Sequence, residues 1–291
     1  MDKLKVLVLG ATGMAGHIVY SYLNKTQQYD VSNMVFRSVL NDDSIVVDVT
    51  NKELLKQSIY QINPDVIVNC IGVLISGSDD NPSNAVYVNA CFPHLLSTIA
   101  NEINSKLIHI STDCVFSGKK GNYLEKDFRD ADDVYGRSKA LGEINNGRHL
   151  TIRTSIIGPE IKQKGEGLFH WFMKQTGTVN GFSKMKWSGV TTLELAKSVI
   201  WAIECKVTGL YHLTNNNSIN KYELLNLFKK YTQKDIVIRE VEGKEIDKTL
   251  IDTRLELNYI IPSYDKMVAE MVTLIKEDVK LYRQYQICEK Q

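Results

Sequence analysis

The strongest constraint on the fold of this chain is a glycine-rich turn near its N-terminus, within the stretch KLKVLVLGATGMAGHIVYSYL. An apolar run over residues 6–9 ends at Gly10, glycines recur at Gly13 and Gly16, and a helical pattern of apolar residues follows. This order is typical of a buried parallel strand, a tight turn and a helix. The chain is therefore expected to begin with one strand–turn–helix unit of an α/β protein.

The same glycines predict a nucleotide site. Gly10 allows the sharp turn, Gly13 allows a pyrophosphate to approach the backbone, and Gly16 allows helix and strand to pack closely. Backbone N–H groups would face the anion at the helix N-terminus, namely those of Thr12, Gly13, Met14 and Ala15. No Lys-Ser or Lys-Thr pair follows Gly16, which argues against a nucleoside triphosphate loop. The G-x-x-G-x-x-G spacing resembles that of extended short-chain dehydrogenases/reductases. The alternative to a nucleotide site is a glycine-rich turn that binds no ligand.

Length, charge and cysteine content narrow the class of protein. With 291 residues the chain can form one large core, or one core with an appended lobe. A formal net charge of +1 suggests neither nucleic acid nor a membrane as the main partner, and no apolar segment could span a bilayer. The chain starts directly with a strand and not a signal peptide, so a cytoplasmic location is expected. Five scattered cysteines and six histidines lack metal-ligand spacing, so neither disulfides nor a metal site are predicted.

Strand-like and helix-like segments alternate through the first half of the chain. Apolar runs predict strands at residues 30–36, 44–49, 66–70, 106–110 and 149–154, and helices at residues 51–62 and 83–103. This repetition predicts an α/β fold with a doubly wound parallel sheet of the Rossmann type.

The regular alternation stops after residue 155. Helix patterns at residues 166–175, 219–231 and 267–282, with short strands at 209–213 and 235–239, predict a smaller interleaved α/β substrate lobe. Residues 1–155 are expected to form the NAD(P)-binding domain, to which the chain returns at about residues 186–214. Residues 156–185 and 215–291 would form the substrate-binding lobe.

The end of the second strand bears on the choice of cofactor. An acidic residue there would accept hydrogen bonds from the ribose of NAD, whereas an arginine can hold the 2′-phosphate of NADP. This chain has Arg37 and Ser38 at that point and no acid. The expected cofactor is therefore NADPH, with NADH as the alternative. Arg37 could also be a solvated surface side chain with no role in cofactor binding.

Candidate catalytic residues follow the strand at residues 106–110. Thr112 would lie at the carboxyl end of that strand, where ligands bind in doubly wound sheets. Tyr135 and Lys139 are four residues apart on a helix expected to start near Asp133, so they would share one face. Lys139 would lower the pKa of Tyr135, which could then protonate a ketone oxygen held by Thr112, and would also bond the nicotinamide ribose. An amphipathic helix with a surface tyrosine and lysine is the alternative.

The motifs GATGMAGH, STDCVFSG, YGRSKALGE and RTSIIGPE, in this order and spacing, resemble those of the dTDP-4-dehydrorhamnose reductase family. The resemblance implies reduction of the 4-keto group of a nucleotide-linked 6-deoxy-hexose with NADPH or NADH, in the synthesis of surface polysaccharide. It also implies that Thr112, Tyr135 and Lys139 are the catalytic residues. A homodimer is an oligomeric state that the resemblance allows.

Further cofactor and substrate residues follow from the resemblance. Asp48 and Val49 match positions that contact adenine, Cys70, Ile71 and Gly72 match a loop that lies over the cofactor, and Asn89 matches a structural asparagine. The expected substrate-binding residues are Val73, Asp113, Cys114, Ile156 and Trp187. Cys114 replaces a usual aromatic residue and Ile156 a usual tryptophan, so a UDP-linked 2-acetamido-4-keto-6-deoxy-hexose competes with dTDP-4-dehydrorhamnose as the substrate.

Two other functions stay open at this point. Related epimerases keep the same catalytic trio but hold NAD tightly as a recycled cofactor. The regulatory beta subunit of methionine adenosyltransferase also resembles this family, so a non-catalytic nucleotide-binding subunit is the second alternative. The intact Tyr135 and Lys139 pair favours an enzyme.

Overall fold

The computed structural model describes residues 3–285 and residue 287, and its first half alternates strands and helices. The elements of this half are β1 (Leu4–Leu9), α1 (Gly16–Thr26), β2 (Tyr29–Val35), β3 (Ile45–Val46), α2 (Lys52–Ile62), β4 (Val66–Asn69), α3 (Ile75–Asp80), α4 (Pro82–Val86), α5 (Phe92–Glu102), β5 (Lys106–Thr112), α6 (Val134–Leu141) and β6 (Leu150–Thr154). A π-helical turn, Tyr87–Cys91, joins α4 to α5, and a 3₁₀ turn, Asp113–Val115, follows β5.

The second half has shorter strands and less regular connections. Its elements are β7 (Ile156–Ile157), α7 (Leu168–Lys174), β8 (Thr178–Phe182), β9 (Met185–Trp187), β10 (Val190–Thr191), α8 (Thr192–Glu204), β11 (Gly209–His212), β12 (Ile219–Asn220), α9 (Lys221–Thr232), β13 (Val237–Val241), β14 (Ile246–Asp247) and α10 (Tyr264–Glu277). No helix in the described part of the chain is both long and apolar enough to cross a membrane.

Seven strands form a parallel central sheet in the order β11-β6-β5-β4-β1-β2-β3. Side chains alternate between the two faces of a strand, and β1 shows the result. Val6 and Val8 join a core cluster that includes residues of α1 and α8, whereas Leu7 and Leu9 join a second cluster with residues of α2 and α5. Burial on both faces explains the uninterrupted apolar runs, and the predicted doubly wound parallel sheet is confirmed.

Three small sheets lie outside the central sheet. They pair β12 with β9 and β14, β13 with β8, and β10 with β7. The chain from the end of β14 onward returns to the loop that follows β5: Asp247 N donates to Gly118 O at 2.9 Å, and Tyr123 N donates to Thr249 O at 2.8 Å. The late residues 247–251 therefore lie beside the loop that leaves the central sheet after Thr112.

The structure differs from the sequence prediction at residues 83–103. One long helix was expected, but the π-helical turn separates α4 from α5. Pro93, within the first turn of α5, has no N–H to donate to the carbonyl four residues earlier, which is that of Asn89. The wider π turn accommodates this missing bond, with Phe92 N donating to Tyr87 O.

Smaller differences concern element boundaries. The predicted strand at 44–49 contains only Ile45–Val46, the helix predicted from residue 219 begins at Lys221 after a two-residue strand, and α10 begins at Tyr264 and ends at Glu277. The predicted short strand at 209–213 is present as β11, at the edge of the central sheet. Four described cysteines are unpaired, whereas Cys288 lies outside the described residues.

Candidate active site

A cavity of about 610 Å³ opens at the carboxyl ends of β1, β2 and β4. Ten of the predicted residues line it, namely Gly10, Thr12, Gly13, Arg37, Asp48, Val49, Cys70, Ile71, Gly72 and Val73. Other predicted cofactor residues, Met14, Ala15, Gly16 and Ser38, lie beside these lining residues in the chain and are not among them. The structure thus brings together predicted residues from Gly10 to Val73, which are 63 positions apart in the sequence.

The glycine turn forms the floor of this cavity. Gly10 has a positive φ of 77°, and a Cβ added there would lie 2.9 Å from Cγ1 of Ile71. A Cβ on Gly16 would lie 2.2 Å from the carbonyl oxygen of Gly10, closer than any side chain tolerates. Helix α1 can therefore start against β1 only with glycine at position 16.

Arg37 lies at the rim of the cavity, just after β2. Its guanidinium is 4.5 Å from the centre of the Phe36 ring, and both residues line the cavity. Stacking on the ring restricts the guanidinium to one side of the opening. The predicted contact of Arg37 with a 2′-phosphate is compatible with this position.

The three candidate catalytic residues come from β5 and α6. Thr112 ends β5, and its Oγ1 accepts a hydrogen bond of 3.1 Å from Cys114 N and lies 3.1 Å from Asp113 Oδ1. Asp133 caps α6 by accepting from Gly136 N at 2.7 Å, and this cap fixes the start of the helix that carries Tyr135. The Thr112 side chain lies close enough to Tyr135 to affect its pKa, so the structure brings these two residues together.

The electrostatics of Tyr135 differ from the sequence prediction. Burial raises the pKa of Tyr135, as do Cys114 and the Asp113 carboxylate, while the nearby Thr112 side chain opposes the rise. Lys139 was expected to lower this pKa, but its ammonium donates to the carbonyl oxygen of Ile110 at 2.8 Å. Burial lowers the pKa of Lys139 itself to about 8, against the attraction of Glu143.

Asn89 connects the cavity wall to α6, the helix that carries the candidate residues Tyr135 and Lys139. Its Oδ1 accepts from Val73 N at 2.8 Å, and its Nδ2 donates to Val73 O at 2.9 Å and to Ser138 Oγ at 3.1 Å. The side chain is fully buried. It therefore holds the loop after β4 against α6, a structural role like the one that the sequence analysis assigned to this residue.

The predicted substrate residues occupy several environments. Val73 lines the cavity. Burial raises the pKa of Asp113, and the charge of Lys248 is the main effect that opposes this rise. Burial also raises the pKa of the Cys114 thiol to about 12, so this cysteine is a neutral thiol near neutral pH. Ile156 is half-buried on β7. Trp187 packs against Tyr264 with ring centres 5.6 Å apart, so lobe packing accounts for its position.

Sequence reasoning did not find Lys248. Burial disfavours its ammonium, yet the neighbouring Cys114, Asp113 and Asp133 raise its pKa overall. A Cβ built on Gly118 would lie 3.0 Å from Cγ of Lys248, which places the lysine stem against the loop after β5. No local pattern could identify this residue, because the pairing of residues 247–251 with that loop brings it from a distant part of the chain. Lys162, which lines the cavity, was missed as well.

The family described as the RmlD substrate binding domain matches residues 4–249. The chain belongs to this family. The resemblance of its motifs to those of dTDP-4-dehydrorhamnose reductases is thereby confirmed. The dTDP-4-dehydrorhamnose reductase of Aggregatibacter actinomycetemcomitans is 33% identical to it over 141 residues, which are 48% of this chain and 45% of that protein. The chain thus spans about half the length of the first curated relatives that it matches.

Two further comparisons extend over more of the chain. Methionine adenosyltransferase 2 subunit beta of Bos taurus is 25% identical over 236 residues, covering 76% of this chain and 70% of that protein. The crystal structure of dTDP-4-dehydrorhamnose reductase from Bacillus anthracis in complex with NADP superposes with a TM-score of 0.80 at 21% identity, covering 94% of this chain and all of that one. At this identity the structural likeness establishes the fold.

Proposed function

We propose that this protein is an NADPH-dependent reductase of the 4-keto group of a nucleotide-linked 6-deoxy-hexose. The observation that carries the proposal is the meeting of Thr112 and Tyr135 at the carboxyl end of β5. This pair adjoins the cavity, because Asn89 holds Val73 of the cavity wall against Ser138 of the helix that carries Tyr135. Chemistry at this edge of the sheet is typical of doubly wound folds.

The cavity fits a dinucleotide. Its floor is the glycine turn, whose backbone allows close approach of a pyrophosphate, and aliphatic side chains such as Val47, Val49 and Ile71 form walls suited to an adenine ring. Arg37 at the rim favours the 2′-phosphate of NADPH over NADH. The reduced dinucleotide supplies the hydride for the carbonyl carbon.

Tyr135 would supply the proton for the carbonyl oxygen. Because burial raises its pKa, the phenol is protonated near neutral pH and can act as a general acid. Thr112 would hold the same oxygen through its hydroxyl. Lys139, one helical turn from Tyr135 on α6, would bond the nicotinamide ribose of the dinucleotide.

Two substrates fit this class. Relatives named as dTDP-4-dehydrorhamnose reductases favour the dTDP-linked sugar. Cys114 and Ile156, which replace larger aromatic residues expected from the family, favour the bulkier UDP-linked 2-acetamido-4-keto-6-deoxy-hexose. A neutral thiol at position 114 leaves room and adds no charge next to the sugar.

The test follows NADPH absorbance with both keto-sugars side by side. Oxidation of NADPH with the dTDP-linked sugar alone would assign the rhamnose-type substrate, and oxidation with the UDP-linked sugar alone would assign the amino sugar. Purified protein that carries bound NAD and consumes no added NADPH would instead identify an epimerase. Binding of NADPH without turnover of either sugar would contradict the reductase proposal.

A non-catalytic regulatory subunit is the second candidate, supported by the similarity to methionine adenosyltransferase 2 subunit beta over 76% of the chain. Such a subunit would bind a catalytic partner in a fixed ratio and show no reductase activity. Size-exclusion chromatography with a methionine adenosyltransferase catalytic subunit would show co-elution if this candidate is correct. Independent elution together with keto-sugar reduction would exclude it.

A further inference from the structure

Residues 158–167, between β7 and α7, form a strap beside the cavity and contribute Lys162 to its lining. At one end, a Cβ built on Gly167 would lie 3.0 Å from Sδ of Met14, so the strap passes directly over the glycine turn. At the same end, Ser76 Oγ donates to Glu166 Oε1 at 2.9 Å, which links the strap to α3. This end of the strap therefore contacts both the glycine turn and α3.

The strap is braced from inside the protein. Glu160 Oε1 accepts from Gly167 N at 2.7 Å, which closes the strap into a loop. Glu160 N donates to the Tyr285 hydroxyl at 2.8 Å, and that hydroxyl lies 2.7 Å from Nδ1 of the buried His170. Gly165 N donates to Nε2 of the same histidine at 3.3 Å. These bonds hold the strap in one position over the cavity.

This bracing presents Lys162 to the cavity, which the residue lines together with Thr12 and Gly13. The Lys162 side chain is exposed, so its ammonium is available to a ligand. A lysine ammonium is a compact donor of three hydrogen bonds and a common partner of phosphate groups. The strap thus adds a cation above the backbone N–H groups of the glycine turn.

We propose that Lys162 binds the pyrophosphate of the dinucleotide, held over the glycine turn by the strap. The inference rests on the proposed function, because it requires a dinucleotide in the cavity. Arg37 follows β2, where the adenosine ribose lies in folds of this type, whereas the strap that carries Lys162 crosses at Met14 in the glycine turn. The two cations accordingly serve different phosphates of the same cofactor.

Fluorescence titrations with NADPH and with NADH test this division. Lys162→Ala is expected to weaken the binding of both dinucleotides by a similar factor of about five, since each carries the same pyrophosphate. Arg37→Ala is expected to weaken the binding of NADPH and to leave the binding of NADH unchanged, because NADH lacks the 2′-phosphate. Lys164→Ala is the matched control: Lys164 is an exposed lysine of the same strap, and the variant should bind both dinucleotides like the wild type.

Two results would overturn the inference. Unchanged binding of both dinucleotides by Lys162→Ala would remove Lys162 from the site, and selective loss of NADPH would assign it to the 2′-phosphate. A wild-type protein that binds neither dinucleotide would contradict the proposed function instead, so the two failures are distinguishable. Elevated salt should reduce the difference between the wild type and Lys162→Ala, because screening weakens an exposed ionic contact.

Discussion

Nζ of Lys139 donates a hydrogen bond of 2.8 Å to the carbonyl oxygen of Ile110, two residues before Thr112 on β5. The contact attaches α6 to the strand that ends in Thr112. It also buries an ammonium that is only 4% exposed, and burial lowers the pKa of Lys139 to about 8. A charge kept in such a place at a cost in stability is typical of a functional site.

Replacement of Lys139 by methionine is expected to stabilise the fold while removing turnover. The folded-state pKa of about 8 lies below the unfolded value of 10.5, so the unfolded chain binds more protons between these two values and wild-type stability rises there with pH. Near pH 7 the gain from Lys139→Met would be at most about 3 kcal/mol, reduced by loss of the bond to Ile110. Urea unfolding of the wild type and of Lys139→Met at several pH values measures this gain in the free energy of unfolding. A gain that stays constant through the alkaline range would contradict the assignment.

Tyr135→Phe is expected to fold normally and to bind NADPH, but to lose turnover by about a hundredfold to ten-thousandfold, because it removes only the proton donor. Steady-state kinetics with the accepted keto-sugar and a parallel NADPH titration separate the two effects. Full activity of this variant would refute the mechanism. Tyr123→Phe provides a tyrosine control outside the proposed trio, since the Tyr123 hydroxyl accepts from Gly118 N at 3.1 Å and lies in the neighbouring loop.

Gly16→Ala is expected to destabilise the protein by about 1–3 kcal/mol and to abolish dinucleotide binding. The added Cβ would lie 2.2 Å from the Gly10 carbonyl oxygen, which forces α1 away from the turn. Gly147→Ala is the control, because no atom lies within 4 Å of the Cβ that it adds. Thermal unfolding and NADPH titration of both variants provide the comparison. Equal behaviour of the two variants would show that the close contact at Gly16 is unimportant.

Glu143 and Arg153 form a buried ion pair. Removal of one partner is expected to destabilise the fold strongly. Arg153 Nη2 lies 2.6 Å from Glu143 Oε2, and their side chains are 1% and 2% exposed. Glu143→Gln should cost about 3–5 kcal/mol, because it leaves a buried guanidinium unpaired. Glu277→Gln, which breaks an exposed pair with Lys25, should cost at most about 1 kcal/mol. Chemical denaturation of both variants gives the two values.

The same pair has a predictable pH dependence. Burial favours protonation of Glu143, but the hydrogen bonds and charge of Arg153 outweigh it and lower the pKa of Glu143 below 4.5. Its contribution to stability is therefore fully present above that value and is lost as the pH falls through the folded-state pKa. The difference between wild type and Glu143→Gln should shrink in that acidic range. A difference that grows on acidification would show that the direction of the shift is wrong.

The sequence predicts those parts of the fold whose structure is determined by interactions between residues that are close in the chain or by a simple burial pattern. The glycine turn is recognisable because only glycine tolerates the contact at position 16, and the central strands are recognisable because burial on both faces demands continuous apolar runs. The π turn before Pro93 escaped prediction. Proline is common in the first turn of a helix, so Pro93 by itself did not indicate a π turn between two helices. Lys162 and Lys248 escaped because tertiary contacts alone bring them to the site; their surroundings in sequence are ordinary polar loops.

The contact between residues 247–251 and the loop after β5 has a consequence for protein synthesis. Tyr123 N bonds to Thr249 O, and Ile251 N bonds to Tyr123 O. A ribosome completes β5 and α6 long before it delivers Thr249 and Ile251. The nascent chain can therefore pair the strands β1–β6 while the loop beside Thr112 still lacks residues 247–251. This loop reaches its final pairing only after most of the chain has emerged.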